Sequence, residues 1–273
     1  MNNPYNHITM KKYLSFIVLS ILLAACSNND VPAFTEYGYI NLNIGTNPEI
    51  SVATTRTETI YPEADDSYLI TIKSGDIINL NKKTYGLIKS TPLRFIEGTY
   101  TIIAESCISD DAETANNRWG KARYYGVQDV NVVVSQTTDV NIVCKMQNAK
   151  VNVLYDETFK NIFGKDPENP YRVTIYREGK QSRSLEFKEN ATFDTQSAYF
   201  NILEGVSNKL IYVVKGTYNG KTVEKEGEIN SLEPQKWIKL TIKATQTGKI
   251  ELGVQVDSSV TEENNDFDVN PYA

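Results

Sequence analysis

From residue 37 onward, apolar and polar side chains alternate with a period of two. In "YINLNI" (39–44), Ile40, Leu42 and Ile44 are separated by Asn41 and Asn43. That is the pattern of a strand with one buried face. The alternation recurs in "SYLITIKSGD" (67–76), "GTYTIIAES" (98–106), "VQDVNVVVS" (127–135) and "TDVNIVCKM" (138–146). It continues in "AKVNVLYD" (149–156), "YRVTIYREGK" (171–180), "AYFNILEG" (198–205) and "KLIYVVKGTYNGK" (209–221). "WIKLTIKAT" (237–245) and "KIELGVQVD" (249–257) complete the series. Gly, Asn, Asp and Pro punctuate these runs, as turns require. No long stretch keeps a helical period. At most, "DDAETANNR" (110–118) and "DETFKNIFG" (156–164) offer a turn or two of helix.

The runs repeat at longer range. "YLITIKSGD" (68–76) reads like "YRVTIYREG" (171–179), "LRFIEGTY" (93–100) like "YFNILEG" (199–205), and "TTDVNIVCKM" (137–146) like "PQKWIKLTIKA" (234–244). Three motifs in the same order at nearly constant offset predict two units. Each has six or seven short strands, which fits an all-β fold of two tandem antiparallel β-sandwich domains. The expected domains are 36–148 and 149–257, with 258–273 an acidic disordered tail. A closed barrel is the structural alternative. A membrane-embedded barrel is disfavoured by the heavily charged outward faces.

The first 25 residues differ in character. Lys11 and Lys12 precede an apolar run from Tyr13 to Leu23, and Ala24 and Ala25 place small side chains before Cys26. A basic start, a short apolar centre and a small-residue exit make a secretory signal. The run is too short to span about 30 Å of hydrocarbon. Leu23-Ala24-Ala25-Cys26 resembles the bacterial lipobox, which implies cleavage before Cys26 and lipidation of its sulfur. Residues 1–25 are then a signal peptide and 26–35 a lipidated tether. Ser27, by the same resemblance, permits export to the outer membrane. Met10 is a more natural start than Met1, so residues 1–9 are expected to be a gene-start artefact or rarely translated.

Composition narrows the chemistry. The chain carries 28 Lys+Arg and 34 Asp+Glu, a net charge of −6. Loss of Lys11 and Lys12 with the signal makes it about −8, a balance opposed to binding the phosphate backbone of nucleic acid. The one histidine, His7, lies before the cleavage site, so a processed chain has no His-based triad, Cys-His dyad or His-ligated metal. Cys107 and Cys144 belong to no CxxC pair. In an oxidising envelope they form one disulfide or stay as separate buried thiols. Neither cofactor nor metal is implied.

The lipobox followed by "YGYINLNI", "SYLITIKSGD", "LRFIEGTYTIIAES" and "YYGVQDVNVVVSQTTDVNIVCKMQNAKVNV" resembles the Bacteroidetes lipoprotein family called domain of unknown function 4493. More distantly, the layout is similar to fimbrillin-like proteins, which implies transthyretin-like sandwiches in a surface adhesin, pilus subunit or pilus anchor. Fimbrillin shaft subunits are matured at an arginine, and Arg56 in "VATTRTETI" is the candidate here. Its alternative is an ordinary solvated arginine. The C-terminal "TEENNDFDVNPYA" does not resemble an apolar donor strand, which departs from a shaft subunit.

Two further groups of residues carry candidate chemistry. Carboxylates cluster at Glu63, Asp65 and Asp66, at Asp110, Asp111 and Glu113, and at Glu262, Glu263, Asp266 and Asp268. None matches a calcium loop, and solvated loop charge is the simpler reading. Trp119, Tyr124 and Tyr125, in "RWGKARYYG", gather aromatic rings beside Arg118 and Arg123. They could contact a glycan or a protein, or pack at strand edges. The chain is thus expected to be no enzyme. It is expected to be a lipid-anchored outer-membrane, surface-facing adhesin or fimbrial accessory protein with envelope or fimbrial partners. The alternative is a glycan-binding lipoprotein of a polysaccharide uptake system.

Overall fold

The computed structural model describes residues 36–47, 63–164, 168–246, 250–258 and 261–268. They are predominantly β. Sixteen strands are placed, and the alternation of the sequence becomes alternation of burial. In β1 (Tyr37–Asn47), Ile40, Leu42 and Ile44 are buried while Asn41 and Asn43 face outward. In β7 (Thr137–Met146), Val140, Ile142, Cys144 and Met146 point inward.

Seven strands make the first sheet, in the order β3-β2-β5-β6-β7-β1-β4. Besides β1 and β7 these are β2 (Leu69–Ser74), β3 (Ile77–Thr84), β4 (Leu93–Ile96), β5 (Gly98–Glu105) and β6 (Tyr124–Val132). β6 and β7 pair only through Tyr124↔Met146 and Tyr125↔Lys145. The sheet bends at that corner, and strands from both sides of it share one buried cluster. That cluster includes Ile70, Ile72, Ile102 and Val132 from one side and Ile40, Leu42, Ile142 and Cys144 from the other.

The second half runs from β8 (Asn148–Tyr155) through β9 (Arg172–Arg177), β10 (Lys180–Lys188), β11 (Ala198–Asn201) and β12 (Leu210–Tyr218). It ends with β13 (Lys221–Ile229), β14 (Trp237–Gln246), β15 (Ile250–Ser258) and β16 (Thr261–Asp268). Two sheets, β10-β9-β12-β13 and β11-β8-β14-β15-β16, enclose a separate cluster from Ala149 to Val254.

The pairing of the first half recurs seven strands later. β1 pairs with β4 and β7, and β8 with β11 and β14. β2 pairs with β3 and β5, and β9 with β10 and β12; β5–β6 corresponds to β12–β13. The three repeated motifs fall on β2 and β9, on β4 and β11, and on β7 and β14. Each repeat lands on its counterpart.

Two expectations are corrected. The pairing is not wholly antiparallel, since β1 runs parallel to β7 and β8 parallel to β14. In both cases the chain crosses a whole half before returning, which leaves room for a parallel neighbour. The tail expected to be disordered from 258 onward instead contributes β16, whose backbone pairs antiparallel with β15 from Glu251↔Asp268 to Ser258↔Thr261. Of the two alternatives left open for Cys107 and Cys144, the structure has the separate thiols. Both thiols are free and buried, and burial pushes the Cys144 thiol up to about 12.

Two short helices stand where the sequence allowed a turn or two. α1 (Ser109–Thr114) follows β5, and α2 (Glu157–Phe163) follows β8. Phe159 and Phe163, four residues apart, are buried and stack at 4.6 Å between ring centroids, as one helix face requires. No helix among the described residues is long and apolar enough to cross a membrane.

Candidate functional site at the junction of the halves

Between β5 and β6 the chain leaves its own sheet and reaches across to the second half. α1 and the turn after it dock on β10 and β11. Glu113 Oε1 accepts from the Asn201 backbone N–H at 2.7 Å and from Arg177 Nη2 at 3.1 Å. Arg183 Nη1 lies 3.7 Å from the same oxygen. Arg177, only 5% exposed, also donates to the Asn201 carbonyl at 2.6 Å and to Asn208 Oδ1 at 3.0 Å. A buried guanidinium needs this saturation, because desolvation would otherwise outweigh its ion pair. Burial pushes the Arg183 guanidinium down, opposed by Glu113 and reinforced by Arg177 and Arg118.

The turn ends in an anchor. Trp119 packs edge-on against Phe187 of β10, 4.9 Å between ring centroids, and joins the second half's cluster. Its carbonyl accepts from the Tyr199 N–H at 2.8 Å. Gly120 then reverses the chain at φ +82°, where a Cβ would lie 2.5 Å from the Ala112 carbonyl. No other residue fits there. Buried Asn148, at the start of β8, donates to the Lys121 carbonyl at 2.8 Å and accepts from the Arg123 N–H at 3.2 Å. With Gln147 alone between β7 and β8, the halves are held at both ends of a very short connection.

Above the anchor lies a cleft of about 700 Å³. One wall is the turn, at Asn117, Arg118 and Trp119; the other is the outer face of β10 and the loop beyond it. A second cleft of about 650 Å³ lies beside Tyr85 and Lys89. There Lys89 already bridges Glu63 and Asp66 at 3.0 and 2.6 Å. Among the described residues, no three His, Cys, Asp or Glu side chains gather as a metal would require.

The model of the family described as "Domain of unknown function (DUF4493)" matches residues 36–271. The chain belongs to this family. No curated protein matches the sequence. Among solved structures, this DUF4493 chain is similar to a fimbrial assembly protein of Parabacteroides distasonis, at 10% identity and a TM-score of 0.42. That match covers 84% of this chain and 98% of the other. It is also similar to a candidate polysaccharide-binding protein of Bacteroides thetaiotaomicron (12%, TM-score 0.45, 84% and 98%). A candidate adhesin of Bacteroides ovatus is comparable (9%, TM-score 0.44, 84% and 95%).

Within this DUF4493 chain the aromatic trio is pulled apart. Trp119 goes to the second half's cluster, Tyr124 packs against the first half's cluster, and Tyr125 lies under Arg123, 5.0 Å from the guanidinium. Arg123 is committed to Glu105 at 3.0 Å and to the Cys107 carbonyl at 3.2 Å. Asp65 caps the Ser67 N–H at 2.8 Å. Asp110 and Asp111 occupy the first turn of α1, and Glu262, Glu263, Asp266 and Asp268 fall within the sequence span of β16. Leu23, Ala24, Ala25, Cys26 and Arg56 lie outside the described residues. The β10 wall went unnoticed at sequence level: Ser184, Glu186 and Lys188 fall between the alternating runs at 171–180 and 198–205, where no strand was expected.

Proposed function

We propose that the chain is a lipid-anchored protein of the bacterial surface, an adhesin or fimbrial accessory component that binds through strand edges and loops. In this reading Cys26 carries the anchor, residues 36–148 and 149–257 are two tandem sandwich domains, and no reaction is catalysed. One observation carries it. Both edges of the first sheet present apolar side chains where a blunted edge would carry charge: Ile77 is 70% and Ile78 57% exposed on β3, and Ile96 is 52% exposed on β4. An edge offers unpaired N–H and C=O groups to an added strand, and exposed isoleucines supply apolar contact beside them. Lys82 and Lys83 guard only the far end of β3.

The test is a pull-down of the intact lipoprotein from the envelope, comparing the wild type with an Ile77→Lys/Ile78→Lys variant. The expected result is a small set of envelope partners that the variant loses. An unchanged set would sink the edge-binding reading. A Cys26→Ser variant remaining in the membrane fraction would sink the anchor.

A further inference from the structure

We infer that the junction cleft binds an acidic oligosaccharide. The inference deepens the loop-contact half of the proposed function by naming a ligand class, and it does not depend on the sheet edges.

The lip of the cleft is held in an unusual backbone. Asn116, Asn117 and Arg118 have φ of +52°, +54° and +74°, a region that non-glycine residues rarely enter even singly. Three in succession persist because the surroundings fix them. Trp119 is anchored below, Arg183 Nε donates to the Arg118 carbonyl at 2.9 Å, and Asn116 Nδ2 donates to the Gly120 carbonyl at 2.9 Å. Strain of this kind concentrates where side chains must be aimed, and here it presents Asn117 and Arg118 to the cleft.

The opposite wall follows from the strand period. Leu185 and Phe187 point into the core, so Ser184, Glu186 and Lys188 face outward. The loop beyond adds Asn190 and Gln196. The side chains of Asn117, Asn190 and Gln196 make no hydrogen bond within the described residues. Carboxamides each offer donors and an acceptor, the complement of sugar hydroxyls.

Charge decides between a neutral and an acidic sugar. Glu186 is already paired with Arg172 at 3.3 Å. Lys188 has no acidic partner among the described residues, and Arg118 is held by the Ser182 carbonyl rather than by a carboxylate. The uncompensated charges of the cleft are therefore cationic, in a chain whose net charge is −6. A sugar carboxylate satisfies them, with its hydroxyls on the amides.

The experiment titrates the purified soluble chain, residues 27–273, with trigalacturonic acid and separately with maltotriose, followed by calorimetry. The uronate is expected to bind, more weakly at high salt, and maltotriose is not. Lys188→Glu should lower uronate affinity at least about tenfold. The charge-matched Lys180→Glu, at the far end of β10, should not. Asn117→Gly keeps the left-handed backbone while removing the amide and should also weaken binding. No uronate binding, equal binding of both trisaccharides, or equal losses in Lys188→Glu and Lys180→Glu would each overturn the proposal. Envelope partners captured through the edges would persist in Lys188→Glu, so failure here is distinguishable from failure of the surface-binding reading.

Discussion

Tyr212 on β12 carries a buried hydroxyl with no hydrogen-bond partner among the described residues. Its ring lies over Gly227 of β13, where a Cβ would come within 2.2 Å of the hydroxyl oxygen, so the glycine makes room for the tyrosine. Burial pushes the phenol up to about 12. An unpaired buried hydroxyl forfeits its hydration and receives nothing in exchange. Tyr212→Phe should therefore raise stability by about 1 kcal/mol, read as a higher urea midpoint at unchanged slope. A lowered midpoint would show that the hydroxyl is satisfied in solution. Nothing in "KLIYVVKG" distinguishes this tyrosine from Tyr100, whose hydroxyl reaches the Ile96 carbonyl at 2.9 Å. A sequence places both on an inward face and is silent on where the oxygen ends.

At the level of elements, α2 shows how local chemistry fixes a boundary. Asp156 is its N-cap and accepts from the Thr158 N–H at 2.9 Å and the Thr158 hydroxyl at 2.7 Å. These bonds hold its carboxyl below the ordinary aspartate range, against a smaller opposing effect of burial. Asp156→Ala should cost about 1 kcal/mol at pH 7. Because the folded carboxyl is the more acidic, its contribution is complete above the unfolded value and fades as pH falls through the folded one. The gap between wild type and Asp156→Ala should hold from pH 7 to 5 and close below the aspartate range; a gap constant down to pH 2 would refute the capping account. Strands with a buried face were legible because period-two alternation is its direct consequence, as β1 and β7 show, whereas the largely exposed β3, β10 and β13 were passed over. The parallel direction of β1 beside β7 was not, since Ile40, Leu42 and Ile44 would bury the same face against either orientation. β16 was missed for the opposite reason. "TEENNDFD" has no apolar alternation, and its pairing with β15 is a backbone matter.

Across the whole molecule, the repeated pairing scheme was visible in three short motifs, whereas the junction was not. Glu113 and Trp119 read as a loop carboxylate and a loop aromatic. Their partners Arg177, Arg183, Phe187 and Asn201 stand 64 residues or more further along the chain, beyond any periodic signal. Once assembled, these contacts touch neither interior directly except through Trp119, so they set how the two clusters are coupled. Glu113→Ala leaves buried Arg177 without its carboxylate, a change worth about 2–3 kcal/mol, below the 3–5 of a fully buried pair because Glu113 is partly exposed. That loss falls on the junction and leaves both clusters intact. The wild type should melt as one calorimetric transition, with the clusters unfolding together. In Glu113→Ala, and more so with Arg183→Ala added, the transition should separate into two. Near-ultraviolet circular dichroism should follow Trp119 in the earlier one. A single unshifted transition in the double variant would mean that Gln147, Asn148 and the backbone bonds around them couple the halves without the ion pairs. The cleft above Trp119 would then owe its shape to the turn alone.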